Sequence, residues 1–578
     1  MKFSTTQIPL LWLLLAAASP AVGGSALTIE PTRFKSESGQ EVAAETGSLV
    51  VAENRHVQSG RTITLKFVRF RSTSNHPGSP IIYLAGGPGG SGIDAAKGAR
   101  FPLFMAMREF GDVIALDQRG TGASEPSTRC TEPYMLPFTK PLDRAEAEGI
   151  LAAGMKQCLD RLAGLGIDAT AYNTLASADD IDDLRKALGA EKVSLWGISY
   201  GTHLGLATLR AHGDHIDRAI FAGIEPLANT FKLPSDQQAL LQKISSLARK
   251  DRALVRTLPD LTEAIARILD RLRKEPATVT LVHPANGKSI PVKLGAFDLQ
   301  LVLASMLTGP EEFAGMPDFI ARLDHGDWTA LALLAARFRM GKLPSAMSVA
   351  MDCASGVSSE RTARIASEAA ETLLGDAINF PVPGICTGLG IPDLGDAYRQ
   401  PVRSDVPVLL ISGTLDGRTP LHNADEVTKD LANAQRLVID GAGHSDPLFL
   451  SSPKILDAMK TFMRGKKLRS ENITAKPVPF LVPRTVVAVP EKILERYVGT
   501  YQLDGKETRK VVKAGSLIFT IRGNGSPNPL RPLSETDFFW EGGPERARFD
   551  VSAEGVVTAM ETDADGSGRK WQRAKKID

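Results

Sequence analysis

The sequence predicts an α/β fold: a mostly parallel sheet with helices on both faces, a helical cap inserted between two of its strands, and a small all-β domain at the C-terminus. Three observations predict this fold. Apolar, β-prone runs alternate with helix-compatible stretches over residues 60–465. A long stretch of helical periodicity interrupts the alternation after residue 226. Short strand-like pieces separated by turn residues make up residues 494–578.

The length of the chain bounds the domain organisation. With 578 residues it is too long for one hydrophobic core and predicts several domains. Its net charge of +2 offers no basic surface for nucleic acid or for an anionic membrane. We predict a signal peptide over residues 1–26, a core built from 27–225 and 351–465, a mainly helical cap over 226–350, a proline-bearing linker over 466–493, and a small antiparallel β-domain over 494–578.

The first 26 residues have the composition of a secretory signal. Lys2 gives a weakly basic start, residues 10–18 are uninterrupted apolar, and small residues follow them. The apolar core is too short to span a bilayer, which needs roughly 18 or more such residues. We therefore expect cleavage between residues 21 and 26 and a secreted or periplasmic protein, with no membrane insertion once the signal is removed.

Residues 197–201 read Gly-Ile-Ser-Tyr-Gly and carry the most informative motif of the chain. A β-prone run precedes them at 192–196, and a helix-compatible run follows at 202–211. Strand, tight turn and helix in this order form the nucleophile elbow of an α/β-hydrolase fold, which lifts the hydroxyl of Ser199 above the sheet edge. The alternative is a surface turn with an idle serine, so the rest of the chain must decide.

The other members of a catalytic triad follow in the order that this fold requires, acid before histidine. Asp416 lies just past an apolar strand at 406–413, and His444 lies past another at 436–439. Both therefore belong to loops at the sheet edge where open α/β sheets bind ligands. A turn-forming aspartate before Gly417 and an unreactive histidine are the alternatives. Chain order favours Ser199 as nucleophile, His444 as general base and Asp416 as the acid that orients it.

The glycine-dense loop at 86–92 follows a buried strand at 81–84. Such a loop brings backbone N–H groups close to a substrate carbonyl, and we assign the oxyanion hole to the N–H groups of Gly87 and Tyr200. Glycine-rich loops also bind phosphate, but no Gly-Lys-Ser/Thr follows and the spacing is not that of a dinucleotide-binding loop.

These motifs occur together with a run at 117–124 that reads Asp-Gln-Arg-Gly-Thr-Gly-Ala-Ser. In this combination the chain resembles the proline iminopeptidase and tripeptidyl aminopeptidase group of serine α/β-hydrolases, over roughly residues 60–465. The resemblance implies peptide substrates with a free N-terminus, which the enzyme cuts from that end, and no metal or organic cofactor.

Two positions depart from the pattern of these relatives. Many relatives carry histidine where this chain has Ala85, and the larger secreted ones often carry aspartate where it has Glu225. Within the run at 117–124 we expect Asp117 and Arg119 to pair and brace the loops around the site.

The four cysteines fit an exported protein, and by number alone they allow three pairings. The resemblance to the secreted relatives implies the nearest-neighbour pairs, Cys130 with Cys158 and Cys353 with Cys386. Metal binding is the rival interpretation, but no C-x-x-C spacing or histidine cluster supports it. We expect no free thiol and no metal site.

A cap that binds a free N-terminus needs a carboxylate near the site, because a desolvated ammonium must be paired. Glu225, Glu311 and Glu312 are the candidates. For each of them taken singly, a solvated acid on a helix or turn is the competing interpretation.

The last 85 residues, 494–578, contain short strand-like pieces such as 497–501 and 517–521 and form a small antiparallel barrel or sandwich. They resemble, loosely, the lipocalin-like β-domains attached to some secreted serine hydrolases. No catalytic constellation occurs in them, so we expect an accessory domain.

The sequence therefore predicts an exported serine peptidase that removes N-terminal residues or short peptides through an acyl-enzyme. Two other functions stay open: a carboxylesterase or lactonase with the same triad, and a non-catalytic binding protein on a hydrolase-like scaffold. An Asp-nucleophile dehalogenase or epoxide hydrolase is disfavoured because serine occupies the elbow.

Overall fold

The computed structural model of the chain describes residues 26–58, 60–283, 287–469, 472–503 and 507–578. Except for its last residue, the predicted signal peptide lies outside these described residues. Within them, no helix is both long enough and apolar enough to cross a membrane.

A ten-stranded sheet forms the centre of the molecule, in the order β1-β2-β3-β5-β4-β6-β7-β8-β9-β10. Its strands are β1 (Leu27–Lys35), β2 (Glu41–Ala52), β3 (Thr62–Phe70), β4 (Ile81–Leu84), β5 (Val113–Asp117), β6 (Val193–Ile198), β7 (Ile216–Ala222), β8 (Val408–Gly413), β9 (Ala434–Asp440) and β10 (Ile473–Thr474). The first three strands pair antiparallel, as expected for the sheet edge, and β3 pairs antiparallel with β5. From β5 across to β10 every pairing is parallel.

Helices cover both faces of this sheet, which explains why β4 to β8 are almost continuously apolar and buried. The helices that precede the cap are α1 (Gly92–Lys97), α2 (Phe101–Met107), α3 (Arg144–Gly164), α4 (Thr174–Ala187) and α5 (Tyr200–His212). α3, α4 and α5 pack on one face, where Leu195 and Ile82 point, and α1 and α2 pack on the other, against Tyr83 and Trp196. The prediction of an α/β-hydrolase fold is confirmed.

A long helical insertion separates β7 from β8. Its helices are α6 (Pro234–Ala248), α7 (Leu254–Thr257), α8 (Leu261–Lys274), α9 (Ala296–Met306), α10 (Pro310–Phe313), α11 (Met316–Asp324), α12 (Thr329–Arg339), α13 (Ala346–Ser355), α14 (Ser359–Glu371) and α15 (Gly395–Arg399). Two short antiparallel ribbons accompany them, Ala277–Val282 with Ser289–Leu294 and Pro133–Met135 with Met340–Lys342. The second ribbon ties the insertion to the core.

The sequence of α8 shows why this insertion folds as helices. The Asp260 carboxylate caps its N-terminus by accepting from the backbone N–H groups of Thr262 and Glu263. Apolar residues recur every three or four positions and are buried, and three basic residues occupy the last turn, where the helix dipole favours positive charge. The apolar stripe packs against the other insertion helices in a hydrophobic core of their own.

After the chain returns to the sheet at β8, α16 (His422–Thr428) connects β8 to β9, α17 (Pro447–Leu450) and α18 (Pro453–Met463) follow β9, and α19 (Glu491–Arg496) leads into the C-terminal domain. That domain is a closed eight-stranded antiparallel barrel rather than a sandwich. Its strands are β11 (Gly499–Gln502), β12 (Thr508–Ala514), β13 (Leu517–Arg522), β14 (Asn528–Pro532), β15 (Asp537–Trp540), β16 (Arg546–Val551), β17 (Val557–Asp563) and β18 (Trp571–Lys576). Aromatic side chains fill one end of the barrel, among them Tyr497, Tyr501, Phe538 and Phe549.

Ion pairs with buried arginines attach the linker and the barrel to the helical insertion. The side chains of Arg322 and Arg531 are only 6% and 5% exposed, so the charges meet away from solvent. Stacking of the Arg484 guanidinium on the Phe539 ring, 3.8 Å from its centroid, adds a cation–π contact. The ion pairs join Arg322 to Glu541, Arg531 to Asp327, and Arg484 of the linker to Asp318.

Two disulfides have the expected pairing. The sulfur atoms of Cys130 and Cys158 lie 2.05 Å apart, and those of Cys353 and Cys386 lie 1.98 Å apart. The first closes the loop after β5 onto α3, and the second holds α13 to the segment before β8. Such bridges are typical of proteins that fold in an oxidising compartment.

Candidate active site

Ser199 occupies the sharp turn between β6 and α5. Its backbone has φ 55° and ψ −127°, a strained conformation for a residue with a side chain. Among the described non-glycine residues only Ser199 and Ser445 have positive φ. Both line the cavity that opens in front of the Ser199 hydroxyl. Glycine at 201 lets the turn close, because a Cβ there would lie 2.1 Å from the carbonyl oxygen of Leu84. This backbone conformation places the Ser199 hydroxyl at the edge of the sheet.

The structure brings the three predicted triad residues together, although they are up to 245 positions apart in the chain. The Nε2 atom of His444 lies 3.0 Å from the Oγ atom of Ser199. Its Nδ1 atom lies 2.9 Å from the Oδ2 atom of Asp416. Hydroxyl, imidazole and carboxylate thus form one hydrogen-bonded chain, in the geometry that transfers a proton from a serine to a histidine.

Asp416 remains a carboxylate in spite of its burial. Burial by itself favours the neutral acid, but the charge of His444 and several hydrogen bonds outweigh it and hold the pKa of Asp416 below its ordinary value. Its Oδ1 atom accepts from the N–H groups of Arg418 and Thr419, each at 2.8 Å. Its Oδ2 atom accepts from the Thr419 hydroxyl at 2.7 Å. This acid is therefore fixed in its ionised form beside the imidazole.

The loop that carries His444 is held by contacts from two sides. The His444 N–H donates to the carbonyl oxygen of Thr308, in the helical insertion, at 2.9 Å. Glycine is needed at position 443, because a Cβ there would lie 2.4 Å from the Cα of Gly309. On the core side, Arg100 donates to the hydroxyl of Ser445 at 3.0 Å and forms an ion pair with the following residue, Asp446. The insertion and the core together set the position of the imidazole.

The glycine loop after β4 runs past the nucleophile. A Cβ at Gly86 would lie 2.9 Å from the Cβ of Ser199 and 2.8 Å from the carbonyl oxygen of Ile198, so the backbone approaches the serine closely. Gly87 lines the cavity, with φ +124°. Tyr200 is the first residue of α5, whose first N–H groups have no partner within the helix. These two N–H groups therefore remain our assignment for an oxyanion hole.

The expected pair between Asp117 and Arg119 does not form. Asp117 ends β5 and faces α1, where its Oδ1 atom accepts from the Ser91 hydroxyl at 2.6 Å. Arg119 is fully buried on the other side and makes two hydrogen bonds, of 2.8 and 2.7 Å, to Asp180 in α4. The run at 117–124 does brace the site, but Asp117 bonds to the start of α1 and Arg119 bonds to α4, on opposite faces of the sheet.

A cavity of about 570 Å³ opens in front of Ser199 and His444. Glu225, one of the predicted substrate-binding acids, is buried in its wall and is 7% exposed. Its Oε2 atom accepts from the ammonium group of Lys232 at 2.7 Å. The neighbouring His203 does not add a second cation, because burial lowers its pKa to about 4.

A second acid in this wall, Asp352, was missed by the sequence reasoning. It lies in α13 beside Cys353, in a helix that is otherwise apolar or small. Burial and the negative charge of Glu225 raise its pKa to about 8, with Lys232 acting in the opposite direction. The available signal was a lone acid in an apolar helix, next to a cysteine predicted to form a disulfide. It was overlooked because it lies far from the motifs in the sequence.

Glu311 and Glu312 do not line this cavity. They are exposed and border an adjacent cleft, which also includes Thr308, His444 and Ser445. Although Glu312 is exposed, the protein around it partly shields its carboxyl group from water, and this desolvation, joined by the charge of the nearby Glu311, raises its pKa above the ordinary value. The two acids are therefore near the imidazole, in a cleft whose lining does not include Glu225.

Two clusters among the described residues have the spacing of metal ligands, and neither includes a residue of the cavity. In one of them, Cys130 and Cys158 are already joined in a disulfide. In the other, the carboxylate of Asp182 is already paired with Arg185 and Lys186.

Comparison with known proteins places this geometry in context. A family model described as "alpha/beta hydrolase fold" matches residues 79–449. The serine protease Hip1 of Mycobacterium tuberculosis is 26% identical over 492 residues, covering 75% of this chain and 92% of the relative. A tripeptidyl aminopeptidase of Streptomyces lividans is 31% identical over 180 residues, which cover 28% of this chain and 32% of that protein.

Among solved structures, an alpha/beta hydrolase from a Medee basin deep-sea metagenome library has a TM-score of 0.32 and 13% identity, and covers 71% of this chain and 98% of its own. At this TM-score the likeness adds nothing to the family match.

Proposed function

The chain belongs to the α/β hydrolase fold family, and from this premise we propose that it is an exported serine peptidase that removes single residues or short peptides from the N-terminus of its substrates. Its relatives include proteins named as a serine protease and as tripeptidyl aminopeptidases. The hydrogen-bonded chain from Ser199 through His444 to Asp416 carries the proposal.

The reaction follows from these contacts. The Ser199 Oγ atom attacks the carbonyl carbon of the scissile bond while the Nε2 atom of His444 takes its proton. Asp416 orients the imidazole and stabilises the imidazolium that forms. The N–H groups of Gly87 and Tyr200 donate to the oxyanion. The leaving amine departs with the proton from His444, and a water molecule then attacks the acyl-enzyme and regenerates the serine.

The two acids of the cavity support a preference for a free N-terminus. Glu225 and Asp352 lie in the wall of the cavity that also holds Ser199. A substrate ammonium that enters this confined site between them would gain a charged partner. A neutral, blocked N-terminus would gain none. Lys232 already neutralises Glu225, and a substrate ammonium would pair with Asp352, whose carboxyl group would release its proton as the ammonium binds.

A carboxylesterase or lactonase with the same triad is the second candidate, because the triad performs acyl transfer on esters and amides alike. The acids of the cavity favour the peptidase, since a small neutral ester would bring no cation to pair with Asp352, whereas Glu225 is already paired with Lys232.

Export is part of the proposal. It rests on the composition of the first 26 residues and on the two disulfides. N-terminal sequencing of the mature protein from the medium or periplasm should give a start between residues 21 and 27, whereas an intact Met1 in the cytosol would contradict export.

Two measurements test the catalytic proposal. A fluorophosphonate probe should label the wild type and should not label Ser199→Ala, while Ser194→Ala, which removes another buried hydroxyl from β6, should still be labelled. Labelling that persists in Ser199→Ala would exclude this residue as the nucleophile.

The second measurement separates a peptidase from an esterase. Aminoacyl and tripeptidyl anilides should be cleaved, N-acetylated versions should be cleaved much more slowly, and product analysis on an unlabelled peptide should give the number of residues released. Ester turnover without any anilide cleavage would assign the esterase function instead.

A further inference from the structure

Arg418 lines the same cavity and has no role in the mechanism above. It lies in the loop between β8 and α16, two residues after Asp416. Its backbone N–H donates to the Asp416 carboxylate at 2.8 Å, so the base of the side chain is fixed relative to the triad. The side chain extends from there into the wall of the cavity.

Among the described residues, Arg418 is unlike the other cations of this wall because its guanidinium has no partner. Lys232 is paired with Glu225 at 2.7 Å, and Arg100 is paired with Asp446 at 2.7 Å. Within the described part of the chain, the Arg418 guanidinium has no carboxylate within 4.0 Å and no hydrogen-bond acceptor. Burial lowers its pKa, and the more distant negative charges of Asp416 and Glu225 only partly oppose this.

A guanidinium in a confined cavity without a counter-ion is unfavourable, and no described carboxylate of this wall lies within ion-pair distance of it. Arginine is also the side chain best suited to bind a carboxylate, because its N–H donors match the two oxygens. A molecule that enters the cavity can therefore supply the missing partner.

The position of Arg418 indicates which part of the substrate it meets. Its backbone N–H is hydrogen-bonded to Asp416, at the triad, and the residue shares the cavity wall with Glu225 and Asp352, the two acids. Under the proposed function, the acyl part of the substrate spans this same interval, from the attacked carbonyl to the free ammonium. The side chain of the acyl residue is the part of the substrate that branches off between these ends.

We propose that Arg418 forms a subsite for a carboxylate side chain, so that the enzyme prefers aspartate or glutamate as the residue whose carbonyl is attacked. This rests on the proposed function, because it requires the acyl part of a peptide to occupy the cavity. It adds a substrate class that neither the triad nor the acid pair specifies.

The test compares substrates that differ only in this charge. Anilides ending in Glu or Gln, and in Asp or Asn, are offered as single residues and as tripeptides, and kcat/KM is measured for each pair. A hydrogen-bonded ion pair in a confined site corresponds to a preference of roughly ten- to a hundredfold for the acid over its amide. Arg418→Met should bring each ratio close to one, and Arg418→Lys should retain part of it.

Arg403→Met is the matched control, because this arginine is 89% exposed and lies outside the cavity. It should leave the acid-to-amide ratio at the wild-type value. The ratio is taken within each variant, so a loss of folded protein in one of them does not affect it.

Binding provides a readout that does not depend on turnover. The Kd values of glutamic acid amide and glutamine amide (each with a free α-amine and a carboxamide in place of the scissile bond) are measured by calorimetry on the wild type and on Arg418→Met. Tighter binding of the acid by the wild type alone supports the subsite even if no anilide is cleaved, an outcome that would reject only the peptidase. Equal or weaker binding of the acid, or an acid-to-amide ratio unchanged by Arg418→Met, would overturn the inference.

Discussion

Asp352 is an acid that folding places in an unfavourable setting, and its replacement by asparagine should stabilise the protein. Burial and the negative charge of Glu225 raise its pKa from 3.8 to about 8, while Lys232 opposes the shift. In the unfolded chain the carboxyl group is ionised above about pH 4. Folding must therefore take up a proton, or leave an unfavourable charge, at every pH above that value.

The magnitude follows from linkage between proton binding and folding. A pKa raised from 3.8 to about 8 corresponds to a loss of about 6 kcal/mol of folding free energy at high pH. Asp352 keeps a face toward the cavity, and an asparagine also has polar groups to satisfy there. We therefore expect Asp352→Asn to gain about 1–3 kcal/mol rather than the full amount.

The sign depends on pH in a defined way. A raised carboxyl pKa means that the folded state holds a proton which the unfolded state has lost, so the wild type loses stability as pH rises from about 4 to about 8. Asp352→Asn has no such group. The two proteins should have similar stability near pH 4, and the advantage of the variant should grow up to about pH 8 and then level off.

Thermal and denaturant unfolding from about pH 4 to about pH 9 would measure this difference. Asp393→Asn is a control of opposite sign, because Arg399 holds the pKa of Asp393 below its ordinary value, so its loss should destabilise the protein above about pH 4. If the difference between wild type and Asp352→Asn does not change with pH, Asp352 is ionised in the folded protein and the reasoning is wrong. Under the proposed function the stabilised variant should also have a higher KM for substrates with a free N-terminus.

Two further substitutions test the loop at the nucleophile and the attachment of the barrel. Gly86→Ala would place a Cβ 2.9 Å from that of the nucleophilic serine and should lower kcat about ten- to a thousandfold in an anilide assay, whereas Gly149→Ala, in open space on a helix, should not. A Gly86→Ala enzyme with wild-type kcat would contradict this close approach. Arg322→Met removes the buried partner of Glu541, whose side chain is only 11% exposed, and should lower stability by about 2–4 kcal/mol, seen as a lower melting temperature, while the exposed Arg273→Met should cost less than about 1 kcal/mol. Equal melting temperatures for these two variants would show that the ion pair does not hold the barrel to the insertion.

The parts of the site that could be predicted are those encoded by short, local patterns. The elbow around Ser199 needs only a strand, a tight glycine-flanked turn and a helix, all within about twenty residues of sequence. Asp416 and His444 follow from chain order and from their positions just past buried strands, because the ends of parallel strands meet at one edge of the sheet. The closed barrel was one of two architectures that the short strands allowed.

The parts that could not be predicted depend on which distant side chains meet. Asp117 and Arg119 are two positions apart, and the expectation that they pair ignored the different layers that flank the end of β5. Glu311 and Glu312 are adjacent to the cap segment that holds His444, yet the fold turns them to the neighbouring cleft. The spacing of residues in the sequence does not show toward which layer or cleft a side chain points.

The sequence by itself determined the fold class and the identity of the three residues proposed to carry the reaction, because strand, turn and helix signals and chain order are written in contiguous residues. Only the tertiary structure decided the electrostatics of the cavity: that Asp352 shares a cavity wall with Glu225, and that Arg418 has no partner among the described residues. Burial and charge pairing are properties of the surroundings, and the surroundings come from segments more than a hundred residues apart. The substrate preference of the cavity therefore depends on the tertiary structure, whereas the chemistry of the triad can be predicted from the sequence.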